Sequence, residues 1–364
     1  MNHKKKIAFL IPSLSTGGAE RVVVSLANKF VEKFEVFVIV LNYTDTVYKV
    51  NNDVHIIYLR DKYLPSSSSF EAIKSNLINL KKIFKIVKAN QISMLIGFTT
   101  SVNVLTIIIA KLLKKPNLIS ERNNPEVYFP NTFWKNLRSL SYPFTDGLIV
   151  QTEFIKGFYE RILKEEKIQI IPNPIDEMML IEKRDYRDRE NIILTVGRLD
   201  ANKNQRLLIE AFANLNVFNW KLLIVGDGVL RREYEEMVIS LGIASKVEIV
   251  GNVNNVQDYY NKAKIFVFTS DSEGFPNALL EAMSFGLPCI STDCPSGPSE
   301  IIEDNENGYL IEVNNRIQLE HCLTKLMNSS ELRSDFSNKA LKSTSKFKIE
   351  EIYKKWENLV ISKL

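Results

Sequence analysis

The chain has 364 residues, 45% of them hydrophobic and 25% charged, with a formal net charge of +4. That length exceeds one ordinary core and suits two domains, and the composition is that of an ordinary soluble globular protein. Three cysteines, Cys289, Cys294 and Cys322, set aside a disulfide scaffold and fit a reducing compartment.

Taken in chain order, "MNHKKKIAFLIPSLSTGG" has a basic start and an apolar run, as a signal peptide does. The run is short and flows into a Gly-Gly turn and a helix, so it reads as a first β-strand. A helix is expected from about Ala19 to Lys33, followed by the strand "EVFVIV". The stretch "FEAIKSNLINLKKIFKIVKANQ" reads as a helix with Ile73, Leu77, Leu80, Phe84 and Val87 on one stripe. Lys74, Lys81, Lys85 and Lys88 fall on a neighbouring face, suited to an anionic membrane surface or to plain solvation. The strands "SMLIGF", "NLISE" and "GLIVQT" follow, separated by helical patterns. The longest apolar runs, such as "VNVLTIII", are too short to cross a bilayer.

A polar, proline-containing stretch, "IIPNPIDEMMLIEKRDYRDRE", places a domain boundary near Asp176. A second series then begins with "NIILTVG", "KLLIVGDG", "KVEIVG", "KIFVFTS", "PCIST" and "GYLIE". Near-continuous apolar strands alternating with helices indicate parallel sheets covered on both faces, and two series indicate two doubly wound α/β domains. The domains expected are 1–175 and 176–346, with a last amphipathic helix at about 347–364. Its Ile352, Trp356, Leu359 and Val360 lie on one face that needs somewhere to dock.

Charge divides unevenly between the halves. Residues 1–175 hold 24 Lys and Arg against 14 Asp and Glu, and the remainder 23 against 29. A basic first half suggests an anionic partner there. The basic residues are not interleaved with aromatics in a nucleic-acid module, so no nucleic-acid partner is expected.

Three stretches suit chemistry. In "STGGAERVV", Gly17 and Gly18 lie between a strand and a helix, where a ligand can approach the backbone and helix amides can meet an anion. In "VGRLDANKN", Arg198 and Lys203 follow a strand, a cation pair suited to a diphosphate. In "SEGFPNALLEAM", Glu273 lies at a strand's carboxyl edge and Glu281 about two helical turns beyond, so the two carboxylates can bracket one hydroxyl-rich ligand. Cys289 and Cys294 have no second pair or nearby histidine to make a metal site, and His3, His55 and His321 lie outside every motif.

Together with "SERNNP", "VQTEFIKGFY", "IIPNPID", "IVGDG" and "GLPCISTDCPSGPSEII", these stretches resemble the family 4 glycosyltransferases over nearly the whole chain. The resemblance implies the GT-B architecture, two Rossmann-like domains facing each other across a cleft with the last helix crossing back. It implies retaining transfer of a sugar from a nucleotide donor. Arg198 and Lys203 would neutralise the diphosphate, and Glu273 would contact the donor sugar. The backbone of Gly274, Phe275, Pro276 and Asn277 would hold the same sugar, Glu281 the ribose and Val253 the base. Gly17 and Gly18 would approach the diphosphate or the acceptor. Many relatives carry His at or beside Arg122, which suits a phosphate or an acidic acceptor group and is no base near neutral pH. No D-x-D triplet occurs, the closest being Asp271-Ser-Glu273, so neither metal nor cofactor is expected.

"SYPFTDGLIVQT" and "VGRLDANKN" are similar to transferases of N-acetylhexosamine onto undecaprenyl-diphosphate-linked oligosaccharides, and "CPSGPSEII" to enzymes of capsule and exopolysaccharide assembly. The donor implied is a UDP-sugar, with UDP-GalNAc and UDP-GlcNAc ahead of UDP-Gal and UDP-Glc. The acceptor implied is a lipid-diphosphate-linked glycan, reached from the cytoplasm at the inner face of the cell membrane. A GT-B UDP-sugar epimerase and a non-catalytic nucleotide-sugar-binding subunit are the competing readings. The epimerase needs acid and base side chains that the three histidines do not supply.

Overall fold

The structure, a computed structural model, describes residues 4–15, 17–61, 69–127, 132–175, 188–215 and 219–364. The boundary expected near Asp176 and the side chain of Ile73 lie outside the described residues. The chain forms two compact units, Met1–Pro174 with Ile349–Leu364, and Ile175–Lys348.

The first unit opens with strands β1 (Lys6–Ile11), β2 (Glu35–Val40) and β3 (Val54–Tyr58), with helix α1 (Gly18–Phe30) between β1 and β2. Helix α2 (Ser69–Ala89), β4 (Met94–Phe98), α3 (Thr100–Leu113) and β5 (Asn117–Ser120) follow. Then come α4 (Thr132–Ser141), β6 (Gly147–Val150), α5 (Glu153–Tyr159) and β7 (Ile168–Ile170). The strands form one parallel sheet in the order β3-β2-β1-β4-β5-β6-β7. Both faces are covered. In β1, Ile7, Phe9 and Ile11 face the layer holding α1, while Ala8 and Leu10 face the layer holding α2 and α3.

The apolar-run reading passes over β3 and β7, the two edge strands. In β3, His55 is exposed and Ile56, Ile57 and Tyr58 are half-buried, and β7 has three residues with Gln169 turned outward. In α2 the buried face lies about a quarter-turn from the expected stripe. Ile83 and Val87 are buried with Asn79, whereas Leu77 is 54% exposed. Asn79 is drawn inward because its Oδ1 accepts from Arg60 at 3.0 Å. This rotation leaves Lys74, Leu77, Ile78, Lys81, Lys85 and Lys88 on one outward face.

The second unit runs β8 (Ile192–Val196), α6 (Gln205–Asn214), β9 (Lys221–Val225), α7 (Arg231–Ser240) and β10 (Val247–Gly251). It continues with α8 (Val256–Lys262), β11 (Ile265–Phe268), α9 (Asn277–Ser284) and β12 (Cys289–Thr292). It closes with α10 (Pro298–Ile301), β13 (Tyr309–Ile311), α11 (Arg316–Asn328) and α12 (Ser330–Ser343). Its strands are parallel in the order β10-β9-β8-β11-β12-β13.

The last helix, α13 (Ile349–Lys363), belongs to the first unit. It buries Ile352, Trp356 and Val360 in the layer that holds α1. Tyr353 meets Phe30 edge-on at 4.9 Å, and Trp356 stacks on Phe98 at 5.8 Å. Burying an indole of this size contributes several kcal/mol, about 3–5 by the cost of truncating such a side chain. The helix is therefore a fixed part of that unit's core.

Candidate functional site

In the second sheet the chain reverses its winding between β8 and β11, which are hydrogen-bonded neighbours. Open parallel sheets bind ligands beyond the carboxyl ends of the strands at such a point. The two loops that emerge there, residues 197–204 and 269–276, are laced together. Asn202 Nδ2 donates to the Ser272 carbonyl at 2.8 Å, and the Asp271 amide to the Asn202 carbonyl at 2.8 Å. Asn204 Nδ2 donates to Asp271 at 3.1 Å, and Thr269 Oγ1 to the Lys203 carbonyl at 2.9 Å.

This lacing brings two of the sequence-selected side chains into contact. Lys203 Nζ lies 2.5 Å from Glu273 Oε1, and the two side chains are only 19% and 11% exposed. The ammonium also lies 5.2 Å from the centre of the Phe268 ring, a cation–π contact. A shielded ion pair at a strand edge holds one cation and one hydrogen-bond-accepting carboxylate ready for a ligand carrying both negative charge and hydroxyls. Arg198 does not join them. Its side chain is 80% exposed and pairs with Asp200 at 3.3 Å.

The Glu273 loop is braced by the segment that follows β12. Ser296 Oγ donates to the Gly274 carbonyl at 3.1 Å, and the Glu273 amide to the Pro295 carbonyl at 3.4 Å. Gly297 sits at φ 118°, and a Cβ there would come within 2.4 Å of Pro276 Cδ, so only glycine lets this brace approach. Phe275 turns into the core against Phe347, which leaves the backbone of Gly274 to Asn277 as the part of the loop available to a ligand. Glu281, on α9, is 8% exposed and accepts from the Tyr260 hydroxyl at 3.0 Å. Val253 is half-buried against the same cluster as Phe275. Cys294 is 2% exposed, and burial, with Glu273 next in effect, pushes its thiol up to about 12, so it stays protonated at neutral pH.

In the first unit, Gly17 is the N-cap of α1 and Gly18 its first residue. A Cβ on Gly17 would come within 2.1 Å of Glu20 Oε2. The glycine therefore makes room for Glu20, which also accepts from Ser13 Oγ at 3.2 Å. A carboxylate already complements this helix end, which suits it to hydroxyls better than to a second anion. Arg122 is buried just beyond β5, with its guanidinium 5.0 Å from the Phe98 ring and 5.8 Å from the Trp356 ring.

Residues 16–178 match the family described as "Glycosyltransferase Family 4", and residues 179–343 the family described as "Glycosyl transferases group 1". A Campylobacter jejuni "GalNAc-alpha-(1->4)-GalNAc-alpha-(1->3)-diNAcBac-PP-undecaprenol alpha-1,4-N-acetyl-D-galactosaminyltransferase" is 34% identical over 98% of each chain. The chain belongs to the family 4 glycosyltransferases. It is an enzyme that transfers sugars. A second C. jejuni relative, an "N-acetylgalactosamine-N,N'-diacetylbacillosaminyl-diphospho-undecaprenol 4-alpha-N-acetylgalactosaminyltransferase", is 32% identical over 92% of this chain and 94% of its own. The "Amylovoran biosynthesis glycosyltransferase AmsD" of Erwinia amylovora is 26% identical over 98% and 99%. Among solved structures, Anabaena Alr3699/HepE in complex with UDP superposes with a TM-score of 0.83 at 18% identity, covering 98% of this chain and 100% of that one. Two parallel-sheet, Rossmann-like units of this kind are the GT-B fold of these glycosyltransferases.

Within this glycosyltransferase, four residues that support the candidate site are not singled out by the sequence. Tyr260 lies in "VQDYYNK" with no motif around it. Phe268 reads as one more apolar strand residue. Ser296 and Gly297 carry a signal, the Ser-Gly-Pro of "CPSGPSEII", but its meaning depends on a loop twenty residues earlier. Among the described residues, no three His, Cys, Asp or Glu side chains converge as a metal ion would require.

Proposed function

We propose that this glycosyltransferase moves N-acetylhexosamine, with retention, from a UDP-sugar to a polyisoprenyl-diphosphate-linked oligosaccharide during surface glycan assembly. The observation that carries the reading is the near-full-length likeness to the C. jejuni N-acetylgalactosaminyltransferase, whose own name gives an undecaprenol-diphosphate-linked acceptor. The HepE structure, which holds UDP, supports the choice of nucleotide.

In this reading Lys203 leaves Glu273 for the donor diphosphate, aided by Arg198, and Glu273 turns to the sugar hydroxyls. Glu281, oriented by Tyr260, takes the ribose hydroxyls, Val253 flanks the base, and the backbone of Gly274 to Asn277 holds the sugar. The bond from the anomeric carbon to the diphosphate breaks as the bond to the acceptor oxygen forms on the same face. The acceptor hydroxyl proton passes to the departing phosphate oxygen. Gly17 and Gly18 line the acceptor side, and Arg122 meets the acceptor's anionic part.

The test is UDP release from a panel of UDP-sugars, with and without lipid-linked glycan extract from the source cells. Extract-stimulated release from UDP-GalNAc or UDP-GlcNAc supports the reading. Release from no UDP-sugar by folded enzyme overturns the donor assignment. The positive charge at the diphosphate comes from side chains, so transfer should persist in excess EDTA. Complete loss that a divalent ion restores would contradict a metal-free reaction.

In this reading the enzyme meets its lipid-linked acceptor from the cytoplasm, at the inner face of the cell membrane. Among the described residues no helix is long and apolar enough to cross a bilayer. The outward face of α2 mixes Lys74, Lys81, Lys85 and Lys88 with exposed Leu77 and Ile78, a composition suited to an anionic interface. Lys82 is not part of that face, because its Nζ donates to the Leu59 carbonyl at 2.5 Å. Changing Lys81, Lys85 and Lys88 together to Gln should lower co-sedimentation with phosphatidylglycerol vesicles about 10-fold or more, at about 1 kcal/mol per lysine. Unchanged binding would assign these lysines to solvation alone.

A further inference from the structure

At the carboxyl edge of the first unit's sheet, four buried polar atoms have no protein partner: Arg122 Nε and Nη2, Thr99 Oγ1 and Trp356 Nε1. They belong to one neighbourhood. The Arg122 guanidinium packs on Phe98 and Trp356, those two rings stack on each other, and Thr99 follows Phe98 in the chain. Arg122 is 9% exposed, and its remaining terminal nitrogen, Nη1, donates to Asn173 Oδ1 at 2.6 Å. The unused Nε and Nη2 form one edge of the guanidinium. Two parallel N–H groups on such an edge match two oxygens of a single anionic group.

The neighbouring carboxylate does not fill that edge. Glu121 is fully buried and accepts from Thr100 Oγ1 at 3.2 Å, Asn103 Nδ2 at 3.2 Å and the Tyr142 hydroxyl. Burial draws the Arg122 guanidinium down to about 9, with Glu121 pulling it back up, so it remains a cation at neutral pH. A buried guanidinium with two unpaired N–H donors is costly even with Glu121 nearby. It stands beside a second unfavourable feature, the β-branched Thr99 held at φ 72°. Both lie just beyond the carboxyl ends of β4 and β5, next to the point between β1 and β4 where this sheet reverses its winding.

We propose that the Nε–Nη2 edge of Arg122, flanked by Thr99 and Trp356, is an anion site that takes one phosphate of the acceptor's diphosphate. The phosphate assignment rests on the lipid-diphosphate acceptor proposed above, while the two-oxygen anion site stands without it. A tetrahedral phosphate fills the fork with two oxygens and keeps others for a hydroxyl and an indole N–H. A carboxylate spends both of its oxygens on the fork. The surrounding half of the sequence, with 24 basic against 14 acidic residues up to position 175, favours the more highly charged group.

The test uses full-length enzyme carrying Arg198→Ala and Lys203→Ala, so that the second unit's two diphosphate cations do not contribute, titrated with inorganic pyrophosphate by calorimetry. Adding Arg122→Met should weaken pyrophosphate binding about 10- to 100-fold, and adding Arg122→Lys, which keeps the charge but loses the edge, by about 10-fold. Farnesyl diphosphate should compete with pyrophosphate and acetate should not. In the otherwise native enzyme, Arg122→Met should raise the acceptor KM by a similar factor and leave the donor KM unchanged. A melting curve should show it still folded, because Met keeps apolar packing against Phe98 and Trp356. Unchanged pyrophosphate binding with a lowered melting temperature would make Arg122 a stacking element only, and overturn the proposal. Acetate binding as strongly as pyrophosphate would overturn the phosphate assignment. Loss of pyrophosphate binding in an enzyme that transfers to no lipid-linked acceptor would remove the acceptor reading and keep the anion site.

Discussion

Lys203→Ala is expected to lower kcat/KM for sugar transfer by about 10²–10³-fold, the range measured when one preorganised donor to a developing negative charge is removed. The leaving group in the proposed reaction is a nucleoside diphosphate, and its charge grows as the glycosidic bond breaks. Lys203 suits that task because its side chain is only 19% exposed, packs over Phe268 and reaches Glu273 at 2.5 Å. Partial shielding from water strengthens its field at the diphosphate relative to that of the 80% exposed Arg198. Arg198→Ala should therefore cost less than Lys203→Ala, about 10-fold or less.

The lysine change also leaves Glu273 without its partner. That loss is local, and the loop keeps its Asn202, Asn204, Thr269 and Ser296 hydrogen bonds. Far-ultraviolet circular dichroism and a melting curve separate loss of fold from loss of chemistry. A folded Lys203→Ala enzyme with kcat/KM within threefold of the parent would remove the residue from the reaction.

The two doubly wound units are legible in the sequence because parallel strands buried on both faces appear as apolar runs, as "KIAFLI" and "IFVFTS" do. The edge strands of the first sheet lack that signature. His55 in β3 and Gln169 in β7 break their runs because one side of each strand faces water. The rotation of α2 was not legible for a different reason. Asn79 counts as polar in any periodicity argument, yet Arg60 satisfies it internally and it takes a core position that Leu77 gives up.

At the candidate site the same division holds. Lys203, Glu273 and Glu281 stand out because charged residues follow apolar strands or interrupt apolar helices. What each charge faces does not stand out. The sequence pairs Arg198 with Lys203, whereas the structure pairs Lys203 with Glu273 and Arg198 with Asp200. Spacing along a chain fixes which loop carries a side chain, and loop-to-loop hydrogen bonds fix where it points. Those bonds join residues about seventy positions apart, between Asn202 and Ser272 or Lys203 and Glu273.

Glu273→Gln, which keeps size and one accepting oxygen, separates two roles for this carboxylate. In the structure it anchors Lys203, and in the proposed reaction it holds the donor sugar. If it holds the sugar, the change should lower transfer at least about 100-fold, because the amide accepts less strongly from hydroxyls as positive charge develops on the ring. Affinity for UDP, which has no sugar, should then stay within about threefold. If its main role is to anchor Lys203, UDP affinity should fall along with transfer, since the freed ammonium is no longer held at the diphosphate. Glu281→Gln is the internal contrast. Its carboxylate accepts from Tyr260 and is assigned to the ribose, so UDP affinity and transfer should fall together. Equal loss of UDP binding and transfer in Glu273→Gln would leave Glu273 as the anchor of Lys203 and not a contact to the sugar. The sugar would then be left to the backbone of Gly274 to Asn277, and donor specificity would be set by the shape of that loop, braced by Ser296 and Gly297.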